Sequence, residues 1–446
     1  MRRRAFIGLG IGSAGLAALA VSGCATSDTT TGGQPNGGDE GSLGPEQEAK
    51  SVPGGAGGDV GVFTWWADGS EKLGLEALQK EFKDNFGKDT FVNLAVAGGA
   101  GSNAKAKLAA DLANNNPPDS FQGHAGAELL DYIREQQIVP VDDVMEGLGG
   151  TDVFPQNLLD LLTVKDAIYS VPSNIHRANV VWTNTKVLEK AGATEAPADL
   201  DAWMADMDKV KDNGVSTPLS VGGSWTQVQL FETVLLSTLG AEAYTALFQP
   251  GGDWNAAEVG TAADKYAKLL GYANTASDGD DWPPATDMVI AGKAAYNVMG
   301  DWAVAQFTSK GKKEETDYGY FPVPGTDGTF DFLADSFTLP KGAKNPAGAK
   351  DWLMTVGSAD GQLAFNLAKG SIPARTDVAP DEFPTYQQSA MESFKGDTIV
   401  PSIAHGAAVS QAWLSAITTA ISKFYGSKDT DTLVKDLAAA AEKNNG

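Results

Sequence analysis

The sequence predicts an α/β protein whose folded body has two lobes, and three observations lead to this prediction. Strand-like and helix-like segments alternate from residue 60 onward. A globular composition then continues for about 385 residues, which is too long for a single hydrophobic core. The residues before it are mainly Gly, Thr, Ser, Asp, Glu and Pro, with few aliphatic side chains, so the body is expected to begin near Val60.

The first part of the body has the order β-α-β-α-β. The pattern predicts a strand at 60–67, a helix at 71–86, a strand at 91–97, a helix at 103–115, a strand at 120–122 and a helix at 128–136. This order is typical of a mostly parallel sheet with helices on both faces. Ligands of such sheets bind beyond the carboxyl ends of the strands, so we look for the site in the residues that follow each strand.

The N-terminal segment predicts export and attachment to a membrane. Three arginines precede an apolar stretch, 5–21, that is too short to span a bilayer. It ends in Val-Ser-Gly-Cys at 21–24, which resembles a bacterial lipobox and implies a lipid on Cys24. A plain signal peptide with a chance cysteine is the alternative. Residues 3–7 also resemble a twin-arginine export signal.

We therefore interpret 1–23 as a signal peptide and 24–59 as a lipidated, disordered tether on the outer face of the cell membrane. Cys24 is the only cysteine, so an intramolecular disulfide is excluded. The formal net charge of −24 argues against nucleic acid as a partner, because phosphate binding needs a basic face.

Aromatic side chains give the first indication of a ligand. The chain has 10 tryptophans, and Trp65 and Trp66 stand as a pair at the end of the first predicted strand. In an extended chain they would face opposite sides, with one in the core and the other in a cleft. The C–H face of a sugar stacks on indole, while its hydroxyl rim needs polar donors and acceptors, so this pair favours a sugar ligand.

Metal binding and catalysis have little support in the sequence. The three histidines, His124, His176 and His405, stand in polar loops, and no two have the spacing of metal ligands. We expect them to bind a polar ligand or to stabilise loops. The sequence lacks a nucleophile elbow, a P-loop and a dinucleotide fingerprint, so neither an enzyme nor a cofactor is expected.

Nine segments, in order along 60–446, carry a resemblance to a known family. They are FTWWADGSE at 63–71, VAGGAGSNAKAKL at 96–108, PPDSFQGHAGAEL at 117–129, VPSNIHRANVVW at 171–182, SWTQVQLFE at 224–232, GKAAYNVMGDWA at 292–303, LADSFTLPKGAKN at 333–345, KGSIPAR at 369–375 and IVPSIAHGA at 399–407. The chain resembles the extracytoplasmic solute-binding proteins (family 1) of sugar ABC importers, within them the glucose/mannose-binding branch.

The resemblance implies a two-lobe periplasmic-binding-protein-like fold of type II. Each lobe would be a mostly parallel sheet flanked by helices, with the ligand in the cleft between the lobes and closure by hinge bending. Crossovers between lobes are expected near 171–181, 323–331 and 369–373. The implied limits are 60–172 for the N-terminal lobe, 173–325 for the C-terminal lobe, 326–370 for the N-terminal lobe continuation and hinge, and 371–446 for the C-terminal lobe continuation.

The resemblance also implies ligand contacts, each at a position of this sequence. Trp65 and Trp66 match an aromatic pair at the cleft, and Trp282 and Trp302 match tryptophans of the second lobe. The implied polar contacts are Glu71 and Asp335 as acceptors, Gln122 and His124 as a polar wall, and Lys369 and His405 as donors to sugar hydroxyl oxygens.

The leading hypothesis is a monomeric receptor that delivers a monosaccharide, with glucose before mannose or galactose, to the permease subunits of an ABC importer. The first alternative is the same fold with a disaccharide or a sugar derivative such as a sugar acid. The second is a surface glycoside hydrolase, which would need a carboxylate pair flanking the sugar.

Overall fold

The structure is a computed structural model that describes residues 57–97, 102–277 and 280–445. The predicted signal peptide, the lipid site Cys24 and most of the predicted tether lie outside these residues. Within the described ranges, no helix combines the length and the hydrophobicity needed to cross a bilayer.

Strands and helices alternate along the described chain. The strands are β1 Gly58–Phe63, β2 Asp89–Asn93, β3 Ser120–His124, β4 Ile138–Val139, β5 Thr163–Val164, β6 Ala167–Ile168, β7 Ser170–Pro172, β8 His176–Arg177, β9 Val180–Asn184, β10 Leu219–Ser220, β11 Tyr296–Val298, β12 Tyr318–Pro322, β13 Thr329–Leu333, β14 Asp335–Pro340 and β15 Thr398–Pro401. The helices are α1 Glu71–Asn85, α2 Ser102–Ala113, α3 Ala127–Arg134, α4 Asp142–Gly147, α5 Gln156–Leu162, α6 Thr185–Ala191, α7 Leu200–Asp212, α8 Ser224–Ala246, α9 Ala257–Leu270, α10 Trp282–Ile290, α11 Ala303–Ser309, α12 Pro346–Gly357, α13 Ala359–Lys369, α14 Thr385–Gly396, α15 Gln411–Ser427 and α16 Thr430–Asn444.

The fold has two lobes, each built around its own sheet. The first sheet has the order β2-β1-β3-β14-β4, with β7 paired to β14, and the second has the order β10-β11-β9-β12. Helices α1 and α12 pack against the first sheet, while α8, α9, α15 and α16 pack together in the second lobe. Buried apolar side chains of the described residues form two clusters: the first covers the first lobe and extends to Trp182 and Tyr318 of the second sheet, and the second lies mainly in the second lobe.

Both sheets are mixed, which corrects the expectation of mostly parallel sheets. In the first sheet β1 runs parallel to β2 and β3, but β14 runs antiparallel to β3, β4 and β7. In the second sheet β9 runs antiparallel to β11 and β12. The reason is the crossover: β14 enters the first sheet from the other lobe, in the opposite direction to the strands that began the sheet.

The chain passes between the sheets in the three segments predicted from the sequence. The first passage runs from β7 through β8 to β9, and the second from β12 through β13 to β14. Strand β13 pairs with both β8 and β15, so the passages are joined by a small sheet of their own. A bridge between Ile175 and Ile372 adds the third passage. The exact lobe limits drawn from the sequence remain a prediction.

The first predicted strand ends earlier than its pattern indicates. Strand β1 stops at Phe63, and the N–H of Ala67 donates to the carbonyl of Trp65, which closes a tight turn. The two indoles have different neighbours: Trp66 packs on Phe337 and Phe365, whereas Trp65 lies against His124. Helix α1 follows as expected, and its Gly74 lies so close to α13 that an added Cβ would sit 2.8 Å from the ring of Phe365.

Asn179 connects the first two passages with its side chain. Its amide nitrogen donates to the Oγ1 of Thr326 and to the carbonyl of Thr329, each at 2.9 Å. Its amide oxygen accepts from the Nε of Arg177 and from the N–H of Asp331. The side chain is fully buried, so no water can replace these partners.

Substitution Asn179→Ala should therefore destabilise the fold by about 2–3 kcal/mol, because it leaves several buried polar groups unpaired. Urea unfolding followed by tryptophan fluorescence measures this loss. Asn114→Ala is the control, since the amide of Asn114 is exposed and donates only to the carbonyl of Ala110. Equal stability of the two variants would contradict the connecting role of Asn179.

Candidate functional site

A cavity between the lobes collects most of the residues singled out in the sequence. Its lining consists of Trp65, Trp66, Glu71, His124, His176, Trp225, Trp282, Trp302, Leu333, Asp335, Lys369 and His405. Its volume is about 30 Å³, on a measure for which one water needs roughly 10–15 Å³. The cavity is therefore small, with room for about two or three water molecules.

Nine of the ten predicted ligand contacts lie in this lining, and Gln122 does not. Sequence reasoning missed Trp225 and Leu333 as lining residues and assigned no specific contact to His176. The signals were weak: His176 and Trp225 stand in family-like segments, but a single tryptophan is more often a core residue, and Leu333 has no polar group to draw attention.

The first lobe contributes residues from the ends of its strands, as parallel sheets are expected to do. Trp65 and Trp66 follow β1, and both reach the cavity from the turn. His124 ends β3 and is paired in register with Asp335, the first residue of β14. The ring centroids of Trp65 and His124 are 5.0 Å apart, so an aromatic and a polar side chain share one wall.

Asp335 is the most heavily hydrogen-bonded group of the cavity wall. Its Oδ1 accepts from the Nε2 of Gln122 at 2.8 Å, and its Oδ2 accepts from the Nδ2 of Asn174 at 3.0 Å. The Nε2 of His176 lies 3.2 Å from Oδ2, and that of His124 lies 3.6 Å from Oδ1. The carboxylate is thus fixed in position while its free lone pairs can face the cavity.

The charge of Asp335 is stabilised by its neighbours. Burial raises the pKa of this carboxyl, but the hydrogen bond and charge of His176, with the charges of His124 and Lys369, outweigh burial and hold the pKa well below its usual range. Asp335 is therefore an ionised acceptor in the wall of the cavity.

Gln122 lies behind this wall. Its amide oxygen accepts from the hydroxyl of Thr64 and from the N–H of Trp65, and its amide nitrogen donates to Asp335. The side chain is 1% exposed. Gln122 thus orients Asp335 and the turn that carries Trp65, and the structure gives it no face in the cavity.

His176 joins two carboxylates. Its Nδ1 pairs with Asp301, whose other oxygen accepts the N–H of Arg177 at 3.1 Å, and its Nε2 faces Asp335. Burial lowers the pKa of His176, but Asp301 and Asp335 together raise it above its ordinary value. Asp301 follows β11 of the second lobe, so this histidine connects the first lobe's carboxylate to the second lobe.

A second ionic group lies behind His124. The Oε2 of Glu128 lies 2.8 Å from the Nδ1 of His124 and accepts from the Nζ of Lys105 at 2.8 Å. Burial raises the pKa of Glu128, but Lys105 and His124 overcome this effect and lower the pKa to about 2. The N–H of Glu128 also donates to the carbonyl of Gly406, which brings the loop that carries His405 against α3.

Lys369 and Glu71 form an ion pair in the lining. The Nζ of Lys369 donates to the Oε1 of Glu71 at 2.6 Å and lies 5.6 Å and 6.0 Å from the ring centres of Trp66 and Trp302. Lys369 is almost fully buried, and its ammonium is positioned for cation–π contact with both rings.

His405 is enclosed by aromatic rings. The ring centroids of Trp302, Trp225 and His124 lie 5.2, 5.8 and 5.9 Å from its own. Burial, aided by the charges of His124, His176 and Lys105, holds the pKa of His405 well below its ordinary value of 6.5. This ring is therefore neutral near pH 7. Although three histidines meet here, no group of three or more His, Cys, Asp or Glu side chains in the described ranges could hold a metal ion.

We expect Glu128→Gln to destabilise the protein by roughly 3 kcal/mol at pH 7. The pKa of Glu128 is lower in the folded chain than its ordinary value of 4.5. Its contribution is therefore complete above pH 4.5 and is lost as the pH falls toward 2. Urea unfolding of both proteins at several pH values should show a difference that shrinks on acidification.

Glu76→Gln is the matched control, since Glu76 forms an exposed pair with Lys72, with half of each side chain accessible. That variant should differ from the original by less than about 0.5 kcal/mol at every pH. A difference for Glu128→Gln that does not change with pH would contradict the assignment of an ionised Glu128.

Comparison with known proteins agrees with this geometry. Residues 68–363 match the family model described as bacterial extracellular solute-binding protein. The chain is 33% identical over 392 residues to an uncharacterized ABC transporter extracellular-binding protein of Pyrococcus horikoshii, covering 86% of this chain and 88% of that protein. It is 30% identical over 390 residues to a xylose/arabinose-binding protein of Haloferax volcanii, covering 86% and 84%.

Among solved structures, a chitin oligosaccharide binding protein superposes with a TM-score of 0.77 at 20% identity, covering 88% of this chain and 100% of that one. At this identity the likeness concerns the fold alone. The family match and the two relatives go further, because they extend over most of the chain. The chain belongs to the bacterial extracellular solute-binding proteins and is a binding protein rather than an enzyme.

Proposed function

We propose that this protein is the extracellular receptor of a sugar ABC importer and that it binds a monosaccharide, with D-glucose as the first candidate. The observation that carries the proposal is the ionised carboxylate of Asp335 in a cavity lined by tryptophans. A carboxylate can accept two neighbouring sugar hydroxyls, and charged acceptors form stronger hydrogen bonds than neutral ones. Indole faces meanwhile cover the C–H surface of the ring.

The large buried side chains on both sides of the cavity favour a single ring over a chain of rings. Trp225, Trp282 and Trp302 occupy the second-lobe side, and Lys369 with Glu71 occupies the other. A chain of several sugar rings would have to displace these buried side chains. The Haloferax volcanii relative, named for xylose and arabinose, also favours monosaccharides and makes a pentose the second candidate.

A thermal-shift screen tests the ligand class. D-glucose, D-mannose, D-galactose, D-xylose, L-arabinose and maltose are compared, with tryptophan fluorescence as a second signal. A ligand that binds only the folded protein stabilises it by about 2.7 kcal/mol at 100 times its Kd, so the melting temperature should rise for one monosaccharide more than for maltose. No response to any of these sugars at millimolar concentration would contradict the proposal.

Asp335→Asn tests the residue that carries the proposal. It keeps the shape of the side chain and removes the charge, so affinity for the sugar found in the screen should fall by about 10- to 100-fold. Asp381→Asn is the control, because Asp381 is exposed and is not part of the cavity lining. Calorimetric titration gives the Kd. Unchanged binding by Asp335→Asn would remove this carboxylate from the site.

We also propose that a lipid on Cys24 keeps a monomeric receptor near its permease partners, which raises the effective concentration for docking. Cys24→Ser should then release the protein from membranes into the medium, as measured by cell fractionation and by mass spectrometry of the N-terminal peptide. Ser22→Ala keeps a small residue before the cysteine and should remain attached. A membrane-bound Cys24→Ser protein would contradict the lipid anchor.

A further inference from the structure

Behind His405 lies a buried chain of hydrogen bonds that runs away from the cavity. The Nδ1 of His405 lies 2.9 Å from the Oγ of Ser402, and this hydroxyl lies 2.9 Å from the Oε1 of Glu232 on α8. Glu232 and Ser402 are fully buried, and His405 is 3% exposed. The chain of three polar groups thus connects the second lobe's core to the cavity lining.

The backbone fixes which way these hydrogen bonds run. The Oε2 of Glu232 accepts the N–H groups of Ile403 and Ala404 at 2.6 and 2.8 Å. A backbone N–H can only donate, so this carboxyl oxygen accepts twice, which favours the unprotonated form of that oxygen. The remaining question is whether the other oxygen, Oε1, accepts from Ser402 or donates to it.

The neighbouring carboxyl of Asp331 determines whether Glu232 is charged, and therefore whether its Oε1 accepts or donates. It interacts with Glu232, and burial followed by the charge of Glu232 raises the pKa of Asp331 well above its ordinary value. Burial also raises the pKa of Glu232, whereas the hydrogen bonds from Ala404, Ser402 and Ile403 lower it. The net result is a pKa of about 7. No N–H or O–H of the described residues other than Glu232's own carboxyl reaches the oxygens of Asp331. The pair therefore keeps its proton on Asp331 and its negative charge on Glu232, where three donors stabilise it.

With a charged Glu232, the hydroxyl of Ser402 donates to Oε1 and can only accept from His405. The proton of the neutral imidazole is then on Nδ1, and Nε2 has a free lone pair. In the structure Nε2 is buried and has no hydrogen-bond partner among the described residues. An unpaired buried acceptor is costly unless a ligand satisfies it.

We propose that Glu232 and Ser402 hold His405 in its Nδ1–H tautomer, so that Nε2 accepts a hydrogen bond from a hydroxyl group of the ligand. This inference rests on the proposed function for the identity of the ligand, but the tautomer itself does not. It reverses the role that the sequence comparison implied, in which His405 donates. Glu232 and Ser402 are positioning residues, and His405 becomes a specificity-determining acceptor beside the donor Lys369.

The arrangement sets a requirement on the ligand. A ligand group that faces Nε2 must donate a hydrogen, as a hydroxyl does. An ether oxygen or a fluorine has no hydrogen to donate, so its lone pair would repel the lone pair of Nε2. The cavity would therefore reject sugars in which that one hydroxyl is methylated or replaced by fluorine, even where their shape fits.

Nitrogen NMR of the histidine rings tests the tautomer without any sugar. In a long-range ¹H–¹⁵N correlation spectrum of the intact protein at pH 8.5, above the pKa of about 7 of the buried Glu232 carboxyl, the Nε2 of His405 should resonate as an unprotonated ring nitrogen and its Nδ1 as a protonated one. His405→Gln assigns the signals by their disappearance. A protonated Nε2 in the original protein would overturn the inference.

Glu232→Gln should reverse the pattern. The amide oxygen must face the N–H groups of Ile403 and Ala404, so the amide nitrogen points at Ser402, whose hydroxyl then donates to Nδ1 and leaves the proton on Nε2. Ser402→Ala, a smaller change, should remove the preference for Nδ1–H.

Ser120→Ala is the matched control, because the buried hydroxyl of Ser120 donates to the carbonyl of Thr338 and is not hydrogen-bonded to a histidine. An unchanged His405 spectrum in both variants would contradict the relay.

Binding measurements then separate the two proposals. Monofluoro analogues of the sugar found in the screen are titrated, and one position should lose about tenfold or more in affinity for the original protein, with a smaller loss for Glu232→Gln. If no sugar binds, the proposed function fails while the NMR result still decides the tautomer. If sugar binds and every fluoro analogue binds equally well, the acceptor role of Nε2 is contradicted.

Discussion

Compensation of the buried negative charge of Asp335 is the interaction on which the cavity depends. An unpaired carboxylate at this depth would shift its pKa and lose its charge. Asn174 and His176 from the first passage supply partners, and His176 passes the interaction on to Asp301 of the second lobe. The charge that we expect to bind a ligand thus also binds the two lobes together on one side of the cavity, at the segments where the chain crosses.

The segments that cross between the lobes connect this local network to both sheets. Strand β13 pairs with β8 and β15, and Asn179 bonds to residues on the second passage. Asp331 of β13 also contacts Glu232, which holds the loop of His405. Any bending between the lobes must therefore act on strands that already carry or support the cavity residues, which couples closure to the geometry of the site.

The sequence predicted the order of the early elements from its residue patterns, and its resemblance to a known family implied the passages and nine of the twelve lining positions. It failed where tertiary pairing decides. The antiparallel entry of β14 depends on a chain returning from another lobe, and the place of Gln122 depends on Asp335, which lies 213 residues away. Whether His405 donates or accepts could not be predicted from the sequence either, because its tautomer depends on Glu232 of α8, which is distant in sequence.

The ion pair of Lys369 and Glu71 has a consequence for how strongly a ligand can be retained. Lys369 is already satisfied by Glu71 at 2.6 Å and by two indole rings, so a ligand oxygen that reaches it gains only the difference between the new partner and the old one. Glu71 therefore competes with any ligand for this ammonium group. In the sugar receptor that we propose, such competition would shorten the time for which the sugar is retained, which suits a protein that releases its ligand in every transport cycle.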